Sequence, residues 1–284
     1  MIFKLIKLFI HILDKLSKPL TAKVLNTLFF QTKRFPHPEK EKPFLNRAER
    51  FSFVHNEIDV QCYKWGKPST KRVLLIHGWE GRATQLSQFI EPLNERGYEV
   101  FSYDGIAHGF TKGKETNMPE MAQLIEHMIN EYTIDHIIAH SFGGMATTFA
   151  VKQNRIKPKS ISLVGSPYDI DYILESYLDI FELSYSYSNA IIGHVEKKIN
   201  IPYTDVMFDT YPETTDIPLL LIHDKKDKEV AFSEMEKFLP KWKHVDTMIT
   251  ESLGHRRILK NKDVMNRIFT FLEAHTSEVA TKGA

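Results

Sequence analysis

The sequence predicts an α/β protein with a mostly parallel central sheet, helices on both faces and a helical lid or cap insertion. Three observations predict it. Short apolar runs such as Val73–Ile76, Ile134–Ala139 and Ile161–Gly165 recur along the chain. Continuous apolar runs are the pattern of strands buried on both faces. Several of these runs are followed by a helical-period segment, as βαβ units require. The stretch between Pro167 and Asp216 breaks that rhythm, being rich in Tyr, Ile, Leu and Ser. It is too long for an ordinary connection, so residues 166–216 read as the insertion.

The 284 residues are enough for one large domain with a sizeable core. The net charge of +1 gives no reason to expect a nucleic-acid partner. Charge is unevenly placed, however. Up to Arg50 there are 8 Lys and 3 Arg against 1 Asp and 3 Glu. This suggests a basic appendage (residues 1–45) on a mildly acidic body (46–284). Cys62 is the sole cysteine, which excludes an intramolecular disulfide and fits a reducing, cytoplasmic compartment. It reads as a half-buried strand residue.

In residues 1–18, Lys4, Lys7, His11, Lys15 and Lys18 recur every three or four positions. On a helix they form one basic stripe, with Phe3, Leu5, Ile6, Phe9, Ile10, Ile12, Leu13 and Leu16 over most of the rest. Pro19 interrupts the pattern. The segment is too charged to span a bilayer and lacks the form of a signal peptide. Two destinations suit it: peripheral contact with the inner face of a membrane, or packing on the body or a second subunit. From about Phe35 to Pro43, three prolines among Glu39, Lys40, Glu41 and Lys42 read as an extended, solvated connector.

Phe51–His55 and Ile58–Tyr63 look like a starting hairpin. Val73–Ile76 is a buried strand, with a helix expected over 84–96 and stopped by Gly97. Tyr98–Tyr103 is a strand and 117–132 a helix. Ile134–Ala139 is a strand and 143–151 a helix. Further strands are expected at Ile161–Gly165, Ile217–His223 and Val245–Thr250. Helices are expected at 231–239 and 257–274.

The chemistry is concentrated in Ile137-Ile138-Ala139-His140-Ser141-Phe142-Gly143-Gly144. Ser141 falls between a predicted strand and a predicted helix. A serine on so sharp a turn holds its hydroxyl above the sheet and needs small neighbours. Ala139 stands where the G-x-S-x-G pattern has its first glycine. The steric logic survives, because Gly143 and Gly144 remain.

From about Phe51 to Leu272 the chain resembles the α/β-hydrolase family. Besides the serine turn, Leu74-Leu75-Ile76-His77-Gly78-Trp79 resembles the family's H-G-x loop. The resemblance implies oxyanion-hole donors at the backbone N–H groups of Trp79 and Phe142, with His77 a structural histidine. Tyr103-Asp104-Gly105-Ile106-Ala107-His108-Gly109 is similar to the D-x-P-G-H-G turn, which shapes a loop. Leu221 to Val230 is similar to the strand and G-x-x-D-x-x-V segment carrying the acid, which implies Asp227. Asp224 and Asp169 are the alternatives.

A serine hydroxyl needs a base, and the imidazole needs a carboxylate to orient it. His255 lies in Glu251-Ser252-Leu253-Gly254-His255, directly after the last predicted strand. A loop there can fold back over the nucleophile, which makes His255 the expected base. His140, His194 and His275 are weaker candidates. Arg82 and Arg256 could line the site for an acidic substrate, or be solvated. No metal or organic cofactor is expected, and no H-E-x-x-H spacing occurs. The resulting expectation is a serine hydrolase acting on a small-molecule carboxylic ester through Ser141, Asp227 and His255. The alternatives are a membrane-associated lipase or acyl-lipid hydrolase, and a non-catalytic binding protein of the same fold.

Overall fold

The computed structural model describes residues 2–208 and 215–276. Residues 209–214 of the expected insertion lie outside the described residues. Chain contacts divide the protein into two compact units, one of residues 1–31 with 169–210 and the other of residues 32–168 with 211–284.

The larger unit carries an eight-stranded sheet. Its strands are β1 (Glu49–His55), β2 (Ile58–Trp65), β3 (Arg72–Ile76), β4 (Glu99–Tyr103), β5 (His136–His140), β6 (Ser160–Val164), β7 (Leu219–Asp224) and β8 (Val245–Thr250). Their spatial order is β1-β2-β4-β3-β5-β6-β7-β8. β1 and β2 form the expected hairpin, and β2 runs antiparallel to β4. Every other pairing is parallel.

Side-chain alternation explains why the central strands carry apolar residues on both faces. Val73, Leu75, Val100, Ile138, Val164, Leu220 and Ile222 face one core. There they meet Phe89 and residues of two helices in the same unit, Ile90–Glu95 and Lys262–Thr276. The alternate residues Leu74, Ile76, Ile137, Leu163 and Leu221 are equally buried on the opposite face. Helix Phe142–Lys152 covers Ile76 and Leu163 there, since a Cβ at Gly143 or Gly144 would meet those side chains. Beside it, Met128 of helix Met118–Tyr132 touches Cys62. Cys62 is a free, fully buried strand residue.

Several expected bounds are corrected. The helix expected over 84–96 is a 3₁₀ segment, Ala83–Phe89, followed by one and a half turns of α-helix. The helix expected from Arg257 is three pieces: Gly254–Arg257, a 3₁₀ turn Ile258–Lys260, and Lys262–Thr276. Asn261 ends the turn in extended conformation and its side chain accepts from Asp263 and Val264, restarting the helix. The connector is not an open solvated link. Glu39–Glu41 forms a 3₁₀ turn and Lys42–Arg47 a short helix.

The smaller unit is all helical. Ile2–Leu16 and Lys18–Phe29 form a helical pair. Pro19 starts the second helix rather than ending a structure. Its missing N–H costs nothing in the first turn, and Ser17 caps that turn by accepting from Leu20. Ile170–Ile180, Ser188–Ile199 and Tyr203–Val206 follow from the insertion. Ile10, Leu25, Phe30, Leu174, Leu178, Phe181, Tyr187, Ile191 and Val195 make one core for these helices. Helix Ile2–Leu16 contributes Ile10 to this core.

Candidate active site

Ser141 sits where β5 ends and helix Phe142–Lys152 begins. Its φ of 53° and ψ of −126° put a non-glycine residue in a strained region. The close neighbours are small because the backbone leaves no room. A Cβ on Gly143 would lie 2.4 Å from the His77 carbonyl. One on Gly144 would lie 1.8 Å from Ser166 Oγ, and one on Gly78 would lie 2.9 Å from Ser141 Cβ. Ala139, by contrast, is fully buried within the strand and pairs with Ile76 and Leu163. Its methyl is accommodated there. The position is also a topological switch: β4 and β6 lie on opposite sides of the β3–β5 pair. At such a point of an open α/β sheet the loops leaving the carboxyl ends of neighbouring strands diverge, which is where ligands bind in this class of sheet.

His255 lies on the one-turn helix Gly254–Arg257, rather than on an open loop. Its Nε2 is 3.0 Å from Ser141 Oγ and its Nδ1 is 2.7 Å from Asp227 Oδ2. A carboxylate can only accept, so Nδ1 carries the proton and Nε2 is left to accept from the serine hydroxyl. Both side chains are nearly sealed from solvent, at 6% and 1% exposure for His255 and Asp227. Burial alone would raise the Asp227 carboxyl. Hydrogen bonds from His255 and from the Val230 and Glu229 amides outweigh it and hold the group below its ordinary value. Asp227 is therefore ionised and fixed on one oxygen, leaving the other for His255.

Trp79 and Phe142 are close neighbours, their rings 4.9 Å apart in an edge-to-face arrangement. Among the described residues neither backbone N–H donates to any acceptor. Neighbouring amides are engaged: Gly78 N–H to Gln85, Glu80 N–H to His108, and Ser141 N–H to the Val164 carbonyl. Two unengaged amides beside the serine can stabilise an oxyanion.

The other sequence candidates are accounted for by structural roles. Asp224 accepts from the Thr250 hydroxyl at 2.6 Å and from the Leu253 and Lys226 amides. It braces the segment that delivers His255. Asp169 caps helix Ile170–Ile180 by accepting from the Asp171 amide. His77 accepts the Gly105 N–H and is hydrogen bonded to the Gly78 carbonyl. Burial lowers its imidazole to about 4, so it is neutral. His108 takes the Glu80 N–H in the same way. His194 packs against Phe30, and His275 against Phe271. Arg82 does not line the site as a free cation. It forms a two-pronged pair with buried Glu41, at 2.7 and 2.9 Å, and Thr84 also bonds Glu41. Arg256 is exposed and pairs with Glu229.

The role of one residue escaped the sequence reading, and that of another was misassigned. Gly165 ends β6 with φ +58°, and a Cβ there would lie 3.2 Å from His255 Nδ1. The signal was its place immediately after an apolar strand. His140, a weaker candidate for the base, instead donates from Nε2 to the His255 carbonyl at 2.9 Å. Among the described residues no three His, Cys, Asp or Glu side chains group to hold a metal ion.

A family model described as serine aminopeptidase, S33, matches residues 67–186, a span that includes Ser141, Trp79 and Phe142. No protein of curated function matches the sequence. Solved structures that resemble the chain include a putative lipase from Acinetobacter baumannii (TM-score 0.62, 18% identity, covering 85% of this chain and 98% of that one). An esterase from Pyrococcus furiosus resembles it with TM-score 0.65 and 18% identity, over 87% of this chain and 98% of that one. A membrane phospholipase A described as a bacterial virulence factor resembles it with TM-score 0.63 and 16% identity, over 97% of this chain and all of that one. The strand order, the strained serine turn and these likenesses lead to one conclusion: the chain has the α/β-hydrolase fold.

Proposed function

We propose that the protein is a serine hydrolase that cleaves carboxylic esters through an acyl-enzyme on Ser141. The observation that carries this reading is the hydrogen-bonded line Ser141 Oγ, His255 Nε2, His255 Nδ1, Asp227 Oδ2. In the first half-reaction the Ser141 oxygen attacks the ester carbonyl as His255 Nε2 takes its proton. Asp227 stabilises the imidazolium without taking the proton. The Trp79 and Phe142 amides receive the charge that develops on the carbonyl oxygen. His255 then protonates the leaving alcohol. Water, deprotonated by the same nitrogen, releases the acid.

A second reading, an acyl-lipid hydrolase, is favoured by one comparison. The membrane phospholipase A aligns over 97% of this chain, whereas the lipase and the esterase align over 85% and 87%. The family model's own description suggests an aminoacyl amide as a further substrate class.

Hydrolysis of p-nitrophenyl esters from acetate to palmitate, beside aminoacyl p-nitroanilides, distinguishes these readings. Turnover of esters that vanishes in Ser141→Ala is expected, and the preferred chain length separates esterase from lipase. Turnover of the anilides alone would move the assignment to peptidase. Failure of a fluorophosphonate probe to label the wild type would overturn the catalytic reading and favour a binding protein.

A further inference from the structure

Part of the polar side of the N-terminal helical pair is engaged within its own unit. Lys7 bonds Glu182 at 2.7 Å, and His11 lies 3.9 Å from the same carboxylate. Asp14, the one acidic residue among residues 1–31, is held by Lys18 and Tyr187. Ile10 is fully buried in the helical core of the same unit. The opposite side is left bare. Leu5 (59%), Leu8 (57%), Phe9 (55%), Ile12 (51%), Leu16 (78%) and Leu20 (53%) are all exposed. On an α-helix the first five fall on one stripe, roughly 16 Å long. Lys4 and Lys15 are exposed on one flank, about 90° around the helix from the stripe, and Lys18 and Lys23 are exposed nearby.

We propose that this face docks on the surface of an anionic lipid bilayer. The helix Ile2–Leu16 would lie in the plane of the interface, with its apolar stripe among the acyl chains and its lysines against headgroup phosphates. The charge pattern selects this occupant. A second copy packed face to face about a two-fold axis would bring the same lysines together. An anionic lipid surface satisfies the apolar stripe and the lysines at once. Neither helix is long and apolar enough to cross a membrane, so the contact is peripheral. The inference stands independently of the chemistry proposed for Ser141.

The test uses the full chain and sedimentation with vesicles of phosphatidylcholine alone or mixed with phosphatidylglycerol. The wild type is expected to pellet with the mixed vesicles and more weakly with the neutral ones. Leu8→Ser/Phe9→Ser/Ile12→Ser should weaken partitioning at least ~10-fold, since these side chains supply the buried apolar area. Lys4→Gln/Lys15→Gln should reduce the preference for anionic vesicles. An unchanged thermal transition verifies that each variant is folded, and these positions are exposed. The proposal is overturned if the wild type stays in the supernatant, or if the apolar triple variant pellets equally. It is also overturned in favour of self-association if light scattering without vesicles shows a dimer that the triple variant abolishes.

Discussion

His140 Nε2 donates to the main-chain carbonyl of His255 across 2.9 Å, and the two rings stand 4.6 Å apart. The residue before the candidate nucleophile therefore holds the backbone of the candidate base. Burial, reinforced by the nearby His255, lowers the His140 imidazole to about 3. It is a neutral donor, and a positioning residue rather than a proton carrier. His140→Ala should lower kcat for ester hydrolysis roughly tenfold, the order of one net hydrogen bond, with KM nearly unchanged. The pH dependence of kcat/KM should keep its wild-type midpoint. A displaced midpoint would assign His140 a direct part in proton transfer.

The strain at Ser141 predicts a trade between stability and activity. With φ at 53° and ψ at −126°, the turn favours glycine. Ser141→Gly should abolish turnover while raising the unfolding free energy by about 1 kcal/mol. Urea denaturation followed by fluorescence measures the gain, and a loss of stability would contradict the strain argument.

Asp224 and Asp227 lie three residues apart but should fail in different ways. Asp227→Asn removes the charge that orients His255 and should cut kcat by about 10⁴. Asp224→Asn should act mainly on stability. Burial raises the Asp224 carboxyl, but hydrogen bonds from Thr250, Leu253 and Lys226 prevail and hold it at about 2. Its folded value lies below its unfolded one. The stabilisation is therefore complete above roughly pH 4 and is lost as the pH falls toward 2. Urea midpoints measured over that window should fall more steeply for the wild type than for Asp224→Asn.

Gly165 leaves space for the candidate pair His255 and Asp227. Its positive φ and the 3.2 and 3.4 Å approach of an added Cβ to His255 Nδ1 and Asp227 Oδ2 make alanine costly twice over. Gly165→Ala should lower kcat by about 10 to 100-fold through displacement of the imidazole. It should also cost about 1 kcal/mol of stability. Esterase assays and thermal melts on the same preparation separate the two effects.

Arg82 matters for folding rather than for substrate charge. Arg82→Met would leave Glu41, only 5% exposed, without its cation. The expected loss is about 3 to 5 kcal/mol, largely recovered by adding Glu41→Gln. Wild-type stability in the single variant would argue that Glu41 is solvated.

The sequence by itself determined the βα rhythm and the serine turn, while the order of serine, acid and histidine was an expectation carried by the family resemblance. These are local: periodicity marks the strands, and steric crowding dictates small residues around Ser141. Only the tertiary structure decided which aspartate faces His255, because Asp224 and Asp227 differ not in residue type but in which loops fold against them. The same holds for Arg82, whose partner lies 41 residues earlier, and for His140, whose acceptor is a carbonyl 115 residues later. It also decided the orientation of the N-terminal helix. Its wheel showed an apolar and a basic side, but Glu182 and Tyr187 lie far along the chain. Which side turned outward was settled by these distant partners, and no pattern within residues 1–18 encodes them.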